Sequence, residues 1–299
     1  MKLQKRYIKI AKEFVKRFER TLQNRSKFSA RSLKRQNLAI SEAANFASVF
    51  IQTSLEKDKN IAGITLSGGV SRGTGDIYSE IDINFYVYDL NKIGNLPPKG
   101  DINVNGVWFE FKFLDFNKEI KKEWSMVDKW DGKYAKILFD RNNKVLKLIR
   151  EKTEFDAEES KKLIKELYFK FGWCVQLAEL FEVRGDLKNA HLLINESLGY
   201  FVDYCFIINK EFIPYFKWKY YYFSMLKKPS NSVKKIIFDA FLIKDYSKKE
   251  LHKRIDIMKK EIIQRYLGDK HDTYHVQDIK KANEFLSSLN MKVKYESPW

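Results

Sequence analysis

Glu80 and Asp82 stand two residues apart in Ser79-Glu-Ile-Asp-Ile-Asn-Phe-Tyr-Val87, where polar and apolar residues alternate as in a β-strand. Side chains at i and i+2 of a strand share a face, so the two carboxylates project together. Two acids so placed repel unless a cation lies between them. Mg²⁺ suits this arrangement, because it takes hard oxygen ligands, commonly one or two carboxylates completed by the phosphates of a substrate. The preceding turn, Ser67-Gly-Gly-Val-Ser-Arg72, has the makings of the phosphate side. Gly68 and Gly69 let backbone amides approach an anion closely, Ser67 and Ser71 add hydroxyls, and Arg72 adds a fixed positive charge.

The elements that must hold these residues can be read on either side. A helical pattern over 38–56 leads into an apolar strand from Ile61 to Leu66, which delivers the glycine turn. Asn91 to Gly106, with Pro97-Pro-Lys-Gly100, reads as a loop. Residues 104–115 then form a strand, with Trp108, Glu110 and Lys112 on one face and Phe109, Phe111 and Phe113 on the other, so Glu110 stands outside the apolar stripe. Asp115 has the opposite parity. Residues 117–133 read as helical with a turn at Asp131-Gly132, followed by a short strand at Ala135–Phe139, a polar turn at Asp140–Asn143 and a continuation over Val145–Ile149.

The stretch Gly68-Gly-Val-Ser-Arg-Gly-Thr-Gly-Asp-Ile-Tyr-Ser-Glu-Ile-Asp82 resembles the signature of nucleotidyltransferases of polymerase-beta type. It is most similar to the small-molecule branch that includes lincosamide and aminoglycoside nucleotidyltransferases, where the segment commonly reads Gly-Ser-x-x-Arg-Gly-x-x-Asp-x-x-Ser-Asp-x-Asp/Glu. Two positions depart from it. Gly69 stands where that branch usually has a serine, leaving Ser67 or Ser71 to supply the hydroxyl, and Glu80 replaces the usual Asp, lengthening that ligand by a methylene.

The resemblance implies an α+β protein: an N-terminal mixed sheet with flanking helices, and a C-terminal all-helical domain. It implies a third acid on a neighbouring strand, acting as metal ligand or as general base. Glu110 is preferred over Asp115 for that role, since its distance from the Leu114-Asp115 end is similar to that in the lincosamide enzymes. Glu80, Asp82 and Glu110 are thus the expected catalytic and metal residues, and Ser67, Gly68, Gly69, Ser71, Arg72 and Ser79 the expected nucleotide-binding ones.

With 299 residues and 44% hydrophobic content, the chain can bury cores for two domains. The two cysteines, Cys174 and Cys205, fall in apolar helical patterns and read as core thiols of a reducing compartment. The N-terminus is charged from Lys2 onward, with no signal-peptide core, and no stretch reaches the roughly 18 apolar residues of a membrane span. A cytoplasmic protein is expected. The net charge of +17 is concentrated, since residues 1–35 hold thirteen Lys or Arg against two Glu. That segment has an amphipathic helical pattern, with Tyr7, Ile10, Phe14, Phe18 and Leu22 on one stripe. It reads as a helix packed through its aromatic stripe with solvated lysines, or as a surface for RNA or another polyanion.

From Thr153 onward only helical periodicity is found. Thr153-x-x-Asp156 marks a cap, Arg184-Gly-Asp186 a turn, Leu187–Ile208 a second helix, and a third begins near Tyr215. Amphipathic segments follow near 232–243, 247–267 and 276–290. The expected organisation is therefore a basic helix (1–35), a catalytic domain (36–152) and a helical domain (153–299). Asn209-Lys-Glu-Phe-Ile-Pro-Tyr-Phe-Lys-Trp218 resembles a segment of the relatives' helical domains, which implies that Lys217 reaches the β- or γ-phosphate. His191, His252, His271 and His275 are scattered and read as structural or solvated.

The resulting expectation is Mg²⁺-dependent transfer of a nucleoside monophosphate, with ATP or another NTP as donor, to a hydroxyl of a small-molecule acceptor, releasing pyrophosphate. The alternatives are transfer to RNA or protein, and a catalytically silent nucleotide-binding protein.

Overall fold

The computed structural model describes residues 58–74, 79–92, 99–104 and 107–267. The basic segment 1–35, the helical patterns at 38–56 and 276–290, and His271 and His275 lie outside the described residues. The chain divides into two compact units between Glu154 and Phe155.

The first unit is built on a five-stranded mixed sheet of order β3-β4-β2-β1-β5, made of β1 (Ile61–Ser67), β2 (Ile81–Val87), β3 (Gly100–Val104), β4 (Val107–Asp115) and β5 (Lys136–Asp140). β2 and β4 run parallel, and the other neighbours are antiparallel. All seven residues of β1 are buried, as its near-continuous apolar run requires of a central strand. On β4 the alternation holds: Phe109, Phe111 and Phe113 are buried, with Phe85 of β2 stacked on Phe113 at 5.0 Å. Tyr86, Ala62, Phe116, Trp124, Val145, Leu148 and Ile149 form a further apolar cluster of this unit.

The loop expected over Asn91–Gly106 contains strand β3. Val104 pairs with Val107, so only Asn105-Gly106 separates two antiparallel strands. Asn-Gly is the dipeptide that favours two-residue hairpins, and it is the signal overlooked in reading this segment as a loop. The hairpin matters for the site, because it sends the chain out to the sheet edge as β3 and returns it as β4, parallel to β2.

Three further expectations are corrected. The helix expected over 117–133 is two, α2 (Phe116–Lys121) and α3 (Met126–Tyr134), following a four-residue turn, α1 (Gly68–Ser71), earlier in the chain. Asp131-Gly132 is interior to α3 rather than a turn, since Ser125 and Asp128 form a reciprocal capping box that starts the helix late. Val145–Ile149 belongs to helix α4 (Lys144–Lys152), which begins after Asn142 and Asn143, both at positive φ.

The second unit is helical, and its helices match the sequence periodicity closely. α5 (Ala157–Val183) starts where Asp156 accepts from the amides of Glu158 and Glu159. Gly185, at φ 79°, turns the chain into α6 (Leu187–Ile208), followed by α7 (Phe216–Met225), α8 (Asn231–Phe241) and α9 (Lys248–Asp256), which continues as a π-helix over Ile257–Tyr266. Phe171, Ile194, Leu198, Phe201, Phe206, Phe223 and Ile237 are among the residues of its core, with the free thiols of Cys174 and Cys205 also buried.

Buried polar groups stitch these helices together. Ser197 Oγ donates to the Phe171 carbonyl at 2.7 Å. Lys234, 6% exposed, donates to the carbonyls of Ser224 and Leu226 at the end of α7, where a cation meets the negative pole of the helix. Arg254, 1% exposed, donates to the carbonyls of Ala240 and His191, to Asn195 Oδ1 and to His191 Nδ1. His191 Nε2 therefore carries the proton and donates to the Ser247 carbonyl at 3.1 Å, which assigns this histidine to structure.

Candidate active site

Parallel pairing of β2 with β4 places Asp82 opposite Glu110, and antiparallel pairing of β1 with β2 places Ser67 opposite Asp82. Glu80 precedes β2 on the same side. Each of Glu80, Asp82 and Glu110 presents a carboxylate oxygen, and these three atoms lie within 4.8 Å of one another. Glu80 is exposed, while Asp82 and Glu110 are partly buried. Asp115 stands apart from them in role: its carboxylate accepts from the Lys118 amide and caps α2.

Burial, together with a hydrogen bond to Glu110 and the nearby charges of Glu110 and Asp131, holds the Asp82 carboxyl up at about 8. Lys112, in the next position on the same face, bonds Glu110 at 2.8 Å. Burial works against its ammonium, yet the hydrogen bond and charge of Glu110, with Asp82 and Asp131 beyond, raise its pKa. Four carboxylates (Glu80, Asp82, Glu110 and Asp131) face two cations (Lys112 and Arg72). The surplus is negative and its oxygens are hard donors, which is what a divalent cation such as Mg²⁺ requires. A carboxyl that retains its proton beside another acid marks a place where such a cation relieves real repulsion.

The glycine turn abuts this cluster. Gly68 has φ +70°, and a Cβ built on it would lie 1.5 Å from Asp82 Oδ2. Only glycine lets the turn and the carboxylate share this space. Gly69 is buried behind it, and Ser71 Oγ turns inward to donate to the Gly68 carbonyl at 2.9 Å. Ser67 Oγ is buried and accepts from Asn84 Nδ2 at 3.1 Å, within a polar ladder that includes Thr65. Ser79 lies just before β2, half-buried.

Arg72 is placed differently from a simple exposed phosphate anchor. Its side chain is 4% exposed, its guanidinium sits 4.0 Å from the Trp130 ring centroid, and Nη1 donates to Asp131 Oδ1 at 2.7 Å. The same oxygen accepts from the Gly68 amide at 3.4 Å. Asp131, Trp130 and Lys112 are the site residues that sequence reasoning missed. The capping box Ser125-x-x-Asp128, read from the sequence, would have started this helix at Met126 and kept Asp131 inside it rather than in a turn. Lys217 is exposed on α7 of the second unit, 5.9 Å from the Tyr215 ring centroid.

No protein-family model matches this chain, and no curated protein matches it in sequence. Among solved structures it is similar to a nucleotidyltransferase-like protein from Exiguobacterium sibiricum 255-15, at 11% identity and a TM-score of 0.44 over 78% of this chain and 80% of that one. That likeness is loose. Among the described residues no helix is long and apolar enough to cross a membrane.

Proposed function

We propose that this protein is a nucleotidyltransferase, transferring a nucleoside monophosphate from an NTP, with ATP the first choice, to a hydroxyl of a small acceptor. The observation that carries the reading is the convergence of the Glu80, Asp82 and Glu110 oxygens within 4.8 Å beside a turn at which only Gly68 fits. Three clustered acids are common on surfaces, but three acids of which Asp82 is wedged against a positive-φ glycine turn, with a buried arginine behind it, are the parts of a polyphosphate and metal site.

In this reading Glu80, Asp82 and Glu110 would hold Mg²⁺, which when bound supplies charge neutralisation at the α-phosphate and the leaving phosphates. Glu110, the acid paired with Lys112, takes the proton of the acceptor hydroxyl as its oxygen bonds to the α-phosphorus. The bond from that phosphorus to the β-phosphate oxygen breaks, and pyrophosphate leaves. The backbone of the Gly68–Gly69 turn, with Ser79 just before β2, faces the triphosphate, while Ser67 and Ser71, whose hydroxyls bond within the protein, shape the turn, and Arg72 supplies positive charge from behind it. The reducing cytoplasm fits the two buried free thiols.

The test is equilibrium binding of each of the four NTPs, with and without Mg²⁺, to wild type and Asp82→Asn, followed by a pyrophosphate-release screen over hydroxyl acceptors. Mg²⁺-dependent binding of an NTP that Asp82→Asn abolishes supports the reading, and binding that ignores both the metal and Asp82 refutes it. Binding without pyrophosphate release from any acceptor would favour the silent nucleotide-binding alternative. RNA is screened as an acceptor alongside, because residues 1–35 carry thirteen of the chain's basic side chains.

A further inference from the structure

We propose that Asp131 is a built-in occupant of the anion seat of the glycine turn, a carboxylate that an incoming phosphate group must displace. The inference rests on the nucleotide-binding reading above and adds to it how access to that site is controlled.

One oxygen of Asp131 receives both the Gly68 amide, at 3.4 Å, and the Arg72 guanidinium, at 2.7 Å. These are the backbone donor and the cation that a phosphate at this turn would need. Arg72 cannot meet an external anion as it stands, since its side chain is 4% exposed, with the Trp130 ring 4.0 Å from its guanidinium carbon and Asp131 at its donor edge. Asp131 is the more accessible partner, with its side chain 38% exposed. A carboxylate in that position is the closest internal substitute for a phosphate oxygen.

The surroundings allow this carboxylate to turn out while its backbone stays. Trp130, directly before it, is 3% exposed, and a Cβ at Gly132, directly after it, would lie 2.4 Å from the Trp124 ring. The start of α3 is locked by the reciprocal bonds of Ser125 and Asp128. With the helix held on both sides, only the short Asp131 side chain has to rotate. Arg72 would remain on the Trp130 ring and exchange one anion for another.

The occupant competes with phosphate, so removing it tightens anion binding, whereas removing a mere structural clamp would loosen it. Inorganic pyrophosphate without divalent cation and ATP with Mg²⁺ are the probes, titrated against wild type, Asp131→Ala and Asp131→Asn. Asn keeps an acceptor oxygen for Gly68 and Arg72, so it preserves the fold if Ala does not. Loss of one competing like charge should tighten pyrophosphate binding on the order of fivefold in both variants, with Mg²⁺ binding alone unchanged or weaker. Wild type that binds ATP while both variants bind pyrophosphate equally or more weakly overturns the role of Asp131 and leaves the nucleotide reading standing. Failure of all three proteins to bind either probe overturns the nucleotide reading, and the occupant with it.

Discussion

Gly68 and Asp82 occupy one space: a methyl group on the Gly68 Cα would sit 1.5 Å from the Asp82 Oδ2 oxygen. The glycine is also at φ +70°, so its substitution strains the backbone as well as evicting the carboxylate. Gly68→Ala should cost about 1–2 kcal/mol of stability from the left-handed backbone alone and should abolish Mg²⁺-dependent nucleotide binding. Gly185→Ala is the control, since φ is +79° there with nothing within 4 Å of the added Cβ. That variant should show the backbone cost without the binding loss; equal binding losses in both would separate Gly68 from the site.

Asp82 makes the site sensitive to pH. Its carboxyl titrates at about 8 in the folded protein without a cation, against 3.8 ordinarily, because burial and the Glu110 hydrogen bond favour the proton. The folded state therefore binds more protons than the unfolded state between those values. Its stabilising contribution is complete below the unfolded pKa and is lost as pH rises through the folded one. Metal-free thermal stability should fall as pH rises toward about 8, while Mg²⁺ affinity should climb toward the same pH as the proton becomes easier to displace. Asp82→Asn should flatten both slopes. Denaturation scans and Mg²⁺ titrations across this range check it, and a flat wild-type profile would remove Asp82 from the account.

Glu110 and Asp115 can be told apart by opposite losses. Glu110→Gln should end pyrophosphate release with little effect on folding. Asp115→Ala should cost about 1 kcal/mol through the lost α2 cap while leaving turnover near normal. Turnover that survives Glu110→Gln and fails in Asp115→Ala would reverse the assignment.

Arg254 is a test of the helical unit. Its guanidinium is 1% exposed and donates to two carbonyls, an amide oxygen and the His191 ring. Arg254→Met should destabilise that unit by about 3 kcal/mol or more, since it strands several buried acceptors at once. Chemical denaturation followed by tryptophan fluorescence would report it, and a loss under about 1 kcal/mol would mean that the acceptors find other donors.

The sequence alone determined the local elements of this protein. Apolar periodicity located α5 and α6 and the buried strand β1, because burial of one face leaves its period in the chain. The Gly185 turn was likewise legible, since it satisfies a backbone demand within a few residues, whereas the cap motif Thr153-x-x-Asp156 reads three residues early: Thr153 closes α4 and Asp156 itself caps α5. The alternation of β4 kept Glu110 off its phenylalanine stripe, and spacing put Glu80 and Asp82 on one face.

Tertiary structure alone decided what meets what. The parallel register of β2 and β4 set Asp82 against Glu110, and it depends on the β3 hairpin, a non-local pairing that spacing along the chain does not encode. The match of Arg72 with Asp131, far apart in sequence, likewise depends on where α3 docks. Composition could supply an arginine near a glycine turn, but whether that charge is open to solvent or already answered by a carboxylate is settled only when the two segments pack.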